Sequence, residues 1–111
     1  MKTGKTTKRQ EHKLKCIAIG DLEYDPQRQC LLHDGILANL TLCESKIVAY
    51  LFSNDRRNVS AHELLSFALG CKPQQKTTAA ERHICTVRKK IAAIGATTTI
   101  RTIRYQGYVI K

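Results

Sequence analysis

A chain of 111 residues holds one domain around one core, which excludes architectures needing about two hundred residues. Apolar residues make up 42% and charged residues 25%, with six Gly and two Pro, so collagen-like structure and wholesale disorder are excluded. The formal charge of +10, from 19 Lys and Arg against 9 Asp and Glu, attracts polyanions over long range and points first to nucleic acid or an anionic membrane.

Residues 1–15 carry six basic side chains against Glu11 and almost nothing apolar, which reads as a disordered basic tail. The tail lacks the apolar segment and small-residue cleavage site of a secretory signal. The longest apolar run, Ile47 to Phe52, is six residues, whereas a membrane-spanning helix needs about twenty. No membrane association is expected, and the chain is placed in the cytoplasm at the nucleoid. Five cysteines (Cys16, Cys30, Cys43, Cys71, Cys85) are an odd number scattered through regular elements. They read as reduced thiols, mostly small core hydrophobes, rather than a disulfide framework.

The structured domain is expected over residues 16–111. Short apolar stretches at 16–19, 22–24, 29–32 and 36–40 alternate with turn signals and predict a meander of three or four antiparallel strands. Asp25-Pro26 marks one turn. Asp34-Gly35 is a pair suited to a turn whose two central residues both need positive φ.

Three helix starts follow, Thr41-Leu-Cys-Glu44, Ser60-Ala-His-Glu63 and Thr78-Ala-Ala-Glu81, each with the spacing of a capping box. The first helix is predicted to about Phe52, burying Ile47, Val48 and Leu51. The second runs to about Leu69, burying Leu64, Leu65 and Leu69, before Gly70 ends it. In the third, over about 79–94, Ala80, Ile84, Val87, Ile91 and Ile94 form one apolar stripe. At about 100° per residue the opposite side carries Thr78, Arg82, Thr86, Lys89 and Ala93, with Cys85 beside them. His83, Arg88 and Lys90 fall on the flanks, and Gly95 closes the helix. Residues 97–110 alternate β-branched and basic side chains and predict a hairpin turning near Gln106-Gly107, with Arg101 and Arg104 as its cations.

Charge is segregated along this chain. Residues 16–76 hold six basic and seven acidic side chains, while residues 77–111 hold seven basic against Glu81 alone, so a polyanion-binding face is expected in the last third. Strands, three capped helices and a basic hairpin make an α+β fold: a winged helix-turn-helix with an N-terminal antiparallel sheet and a C-terminal wing. Such a helix suits the major groove of double-stranded DNA. Arg82 and Thr86 are the candidates for base reading. His83, Arg88, Lys89, Lys90 and Lys111 are candidates for phosphates, Tyr105 at the wing tip for a sugar or phosphate and Arg104 for the minor groove, with Thr78, Arg101 and Thr102 as further DNA-binding candidates.

The stretch from Leu40-Thr41-x-x-Glu44, through Val59-Ser60-x-x-Glu63-Leu64-Leu65 and His83-Ile84-x-x-Val87-Arg88-Lys89-Lys90, to Ile100-Arg-Thr-Ile-Arg-Tyr-Gln-Gly107-Tyr108 resembles the OmpR/PhoB-type winged-helix DNA-binding domain over residues 17–110. Leu69 stands where the family usually has Trp. The resemblance implies a bacterial transcription regulator whose third helix reads the major groove and whose wing touches the minor groove. It also implies pairing of protomers on tandem half-sites and contact with RNA polymerase through the loop at 71–77. Typical members carry a phospho-receiver of about 120 residues ahead of this domain, so control by an attached receiver is not expected here.

No cofactor or catalytic activity is expected. His12, His33 and His62 have no acid or nucleophile at catalytic spacing, no Gly-rich phosphate loop is present, and the spacing of Cys71, His83 and Cys85 fits no zinc module. Two other readings remain open: a winged helix that works chiefly by binding a regulator or polymerase with weak DNA affinity, and a nucleoid-type protein that coats DNA without sequence choice.

Overall fold

The computed structural model describes residues 16–70 and 78–111, so the basic tail and the 71–77 loop, with Cys71, lie outside the described residues. Four short strands come first: β1 (Ile17–Ile19), β2 (Leu22–Asp25), β3 (Cys30–His33) and β4 (Ile36–Asn39). They pair antiparallel in the order β1-β2-β3-β4, as a meander must when each connection is a tight turn. At the β3–β4 turn Asp34 (φ 52°) and Gly35 (φ 79°) both take the left-handed conformation expected of that pair. Leu22, Tyr24 and Leu31 carry the sheet into the core, and Tyr24 packs against Phe52 with ring centroids 5.6 Å apart.

Helix α1 (Leu42–Ser53) starts at Thr41 with both halves of the capping box formed. The Thr41 hydroxyl accepts from the Glu44 amide at 3.2 Å, and the Thr41 amide donates to Glu44 Oε1 at 2.9 Å. Ile47, Val48 and Leu51 are buried, as their spacing predicts.

Helix α2 departs from expectation in three ways. It begins as an α-helical turn, Ala61–Glu63, and runs directly into a π-helical stretch, Leu64–Ala68, closed by the Leu69 amide donating to Leu64 O at 3.0 Å. Ser60 caps the Glu63 amide, but the Glu63 carboxylate does not return to the cap. It accepts from the Tyr50 hydroxyl at 2.5 Å and from the Arg57 guanidinium, tying α1 to α2. Leu64 and Leu65 are buried while Leu69 is half-buried, because the wider π turn rotates the helix end relative to a regular α-helix.

Helix α3 (Thr78–Ala93) buries its stripe of Ala80, Ile84, Val87 and Ile91, with Ile94 just beyond its end. Thr78 is itself helical, so the third predicted capping box does not form with Thr78 as the cap. Gly95 (φ 85°) ends it: Gly95 N donates to Ala92 O at 3.0 Å and Ala96 N to Ile91 O at 3.4 Å, the paired bonds of a Schellman motif.

The wing consists of β5 (Ile100–Ile103) and β6 (Gly107–Ile110), in register Ile100↔Ile110 through Ile103↔Gly107. Its turn lies at residues 104–106 rather than at Gln106-Gly107, since Tyr105 (φ 65°) takes the left-handed position and Gln106 N donates to Ile103 O at 2.9 Å. Gly107 serves a different purpose. A Cβ there would meet Val59 O at 2.2 Å, because Val59 and Tyr108 exchange two backbone hydrogen bonds of 2.7 Å and so pin the wing to the segment before α2 by a one-residue bridge. No spacing signal in the sequence marks that bridge.

Candidate nucleic-acid interface

The burial of α3 divides its residues as the helical projection requires. Thr78, Arg82, Cys85, Thr86, Lys89 and Ala93 are exposed, and His83, Arg88 and Lys90 lie half-buried on the flanks. Arg82, Thr86 and Lys89, spaced by four and three, share one face, with Thr86 Oγ1 donating to Arg82 O at 3.2 Å. Glu81 is exposed about 100° away, so no carboxylate opposes the cations at the centre of that face.

Two of the flanking cations bond within the protein. Lys90, expected among the phosphate contacts, reaches back to Glu44 Oε1 at 2.5 Å, where the carboxylate is 5% exposed and the lysine side chain 29%. Burial alone would raise the Glu44 pKa. The bonds from Lys90 and Thr41 outweigh it and hold the carboxyl below its ordinary value, with His83 adding a smaller effect in the same direction. Glu44 thus caps α1 and holds α3 against it.

Arg88 braces the wing. Its Nε donates to Ile100 O at 2.7 Å, its guanidinium bonds the Thr102 hydroxyl, and the same group lies 5.9 Å from the centre of the Tyr108 ring. Arg88, expected to face a phosphate, and Thr102, expected among the DNA contacts, therefore fix how the wing is set on α3. Helical projection gives the angle of Arg88 but not its partner, so the sequence could not show that it turns to the wing.

A third support was not foreseen. Asp21, in the β1–β2 turn, accepts from the Thr97 and Thr98 amides at 2.8 Å each and from the Thr97 hydroxyl at 2.9 Å, gripping the link between α3 and β5. Those amide bonds, Thr97 first, hold the Asp21 carboxyl well below the usual carboxylate range. His33 Nδ1 bonds Asp21 O at 2.8 Å from the other side.

Arg101, Arg104 and Tyr105 are exposed on the wing, and Tyr105 is 92% exposed at its tip. The Arg104 guanidinium lies 5.1 Å from the centre of the Tyr105 ring. A left-handed conformation costs a side-chain-bearing residue roughly 1–2 kcal/mol, and an exposed cation–π contact returns roughly 0.5–1 kcal/mol. Tyr105 is therefore not explained by the stability of the hairpin alone.

The cysteine expectation is corrected. Cys30 is buried and burial pushes its thiol pKa up, but Cys16, Cys43 and Cys85 are exposed, Cys85 beside Arg82 on the outer face of α3. Apolar spacing assigned none of them to the core individually, and among the described residues only Cys30, on β3, is buried. Among the described residues no group of three or more His, Cys, Asp and Glu is arranged to hold a metal ion, and no helix is long and apolar enough to cross a membrane.

A four-stranded antiparallel sheet, three helices and a C-terminal hairpin define a winged-helix DNA-binding domain of the kind found in bacterial response regulators. The family model described as transcriptional regulatory protein, C terminal, matches residues 36–110, and the chain belongs to that family of non-enzymatic regulators. It is 29% identical over 90 residues to the transcriptional activator protein PfeR of Pseudomonas aeruginosa, covering 80% of this chain and 30% of that protein. The chain thus spans about a third of the length of this curated relative. Among solved structures it is similar to the DNA-binding domain of CpxR from E. coli (TM-score 0.69, 26% identity, 86% of this chain and 94% of that one). It shares its fold with the Klebsiella pneumoniae RstA DNA-binding domain in complex with the RstA box (TM-score 0.72, 22% identity, 86% and 96% covered).

Proposed function

We propose that this chain is the sequence-reading part of a bacterial transcription regulator, with α3 in the major groove of double-stranded DNA and the β5–β6 wing at the adjacent minor groove. The observation that carries the reading is the outer face of α3, where Arg82, Thr86 and Lys89 stand exposed over a fully buried apolar stripe. An α-helix fits the major groove, and a guanidinium can donate two hydrogen bonds to guanine there. Arg82 takes that role, and Thr86, one turn on, bonds a base edge or touches a thymine methyl. Thr78, His83, Lys89 and Arg101 meet phosphates, which set register without reading sequence. Arg104 enters the minor groove, where narrow A·T-rich stretches concentrate negative potential.

Lys90, Arg88 and Thr102 act one step behind the interface by holding α3 and the wing in fixed relation. The complex of RstA with its box and the naming of PfeR as a transcriptional activator support this reading by kinship. Protomers pair on tandem half-sites. Contact with RNA polymerase through the 71–77 loop belongs to the same proposal and lies outside the described residues.

Selection from a random duplex pool at about 0.15 M salt, where nonspecific affinity is already weakened, tests the proposal. A motif repeated at about one helical turn is expected. Recovery without a motif would mean a nonspecific coating protein, and no recovery would mean a protein-interaction module; either overturns the reading.

A further inference from the structure

The wing tip is built more firmly than a hairpin tip needs. Gly107 sits against the Val59 backbone, the Asn58 amide donates to Gln106, and Arg88 ties β5 to α3. On this frame Tyr105 is fixed in a left-handed conformation that bulky side chains rarely adopt, with its ring almost fully in solvent and the Arg104 guanidinium beside it. Beside the ring runs a shallow groove of about 250 Å³ between the wing and the start of α2, lined by Ser60, Ala61, Thr102, Tyr105 and Gln106. Gln29, Asp34 and Arg56 also take the left-handed region, but of the four Tyr105 alone presents an aromatic ring there, almost fully in solvent and beside a cation.

From this arrangement we propose that Tyr105 is an affinity-determining residue whose ring packs flat against the deoxyribose wall of the minor groove and aims Arg104 into it. The inference rests on the DNA-binding reading above and deepens it. The ring supplies an apolar face for the sugar edge, and the groove beside it admits the sugar–phosphate strand. The contact is independent of base identity, so its loss weakens selected and random duplexes alike.

A strained contact residue has a signature that a structural one lacks: removing it stabilises the protein and weakens the complex. Tyr105→Gly is expected to raise the melting temperature by about 4 °C, because glycine takes positive φ without strain. The same variant is expected to weaken binding about fivefold on a selected duplex and on a random-sequence duplex of equal length, whereas Tyr105→Phe stays within about twofold on both. The chain contains no tryptophan, so Tyr105→Trp makes a unique reporter. Its emission is expected to be shielded from acrylamide when duplex is added, without the strong quenching that stacking on a base would bring. Wild-type-like affinity of Tyr105→Gly, or Tyr105→Trp emission that does not respond to a bound duplex, would overturn this inference alone. Failure of the wild-type protein to bind either duplex would overturn the DNA reading with it.

Discussion

Two hairpins of the same chain obey the backbone's rules differently. The β3–β4 turn needs two left-handed residues and has Asp34 and Gly35, both suited to that region. The wing turn needs one and has Tyr105, which is not. The first hairpin belongs to a sheet with four carboxylates against Arg28; the second belongs to a third of the chain with seven cations against Glu81. Backbone strain does not by itself mark the contact surface, since Gln29 in the β2–β3 turn (φ 53°) and Arg56 after α1 (φ 70°) also take the left-handed region. At the wing it coincides with an aromatic ring that stands almost wholly in solvent beside a cation, and that combination separates the proposed contact surface from the scaffold turns.

Reversing charge on the two faces should break the comparison most visibly. The double variant Arg82→Glu with Arg104→Glu is expected to lose about 100-fold in affinity for a selected duplex, since one bidentate base contact alone is worth about 1–3 kcal/mol and reversal adds repulsion from phosphate. Its melting temperature should stay close to that of the parent protein, because both side chains are exposed. Glu23→Lys on the sheet, also exposed, should change affinity less than about twofold in the same titration.

Next in size is the support between the regions. Glu44→Ala removes the return half of a capping box and leaves Lys90 half-buried without its carboxylate, which should cost about 2–3 kcal/mol in urea unfolding. The cost is below that of a fully buried pair because the lysine retains some water. Because the folded pKa of Glu44 is depressed, its contribution is complete above the unfolded value of about 4.3 and disappears as pH falls through the lower folded value. Asp21, depressed in the same sense, loses its grip on Thr97 and Thr98 over the acid range as well. Urea titrations from pH 7 to pH 3 should show stability falling below about pH 4.5, and Glu44→Gln should flatten part of that fall.

The smallest stability effect sharpens the contrast between the turns. Gly35→Ala, at φ 79° with open space around it, should cost about 1 kcal/mol from conformation alone, opposite in sign to Tyr105→Gly. Thermal melts of the two variants side by side check the signs.

The sequence revealed the elements with strong local grammar. Four strands between turn pairs, the Thr41 box, the α3 stripe and the Gly95 terminator are all encoded within a few residues of where they act. What it did not reveal depends on partners distant along the chain. The π stretch in α2 has no marker among its own residues. Val59 joins the wing from 49 positions before Tyr108, and Asp21 reaches Thr97 across a separation of 76 residues. The candidate interface was legible as an angular sector of α3. Arg88 and Lys90 lie on its flanks, yet their bonds to Ile100, Thr102 and Glu44 turn them inward. The position of the wing turn was missed because Gly107 resembles a turn glycine but serves a close backbone approach to Val59.

The central claim is that one side of this domain, α3 with the wing, meets DNA while the meander sheet does not. Backbone amide NMR of the chain titrated with a selected duplex tests it most directly. The account predicts the largest shifts at residues 82–89 and 101–106, with β1 to β4 nearly unchanged. Shifts concentrated in the sheet, with α3 and the wing tip unmoved, would contradict it.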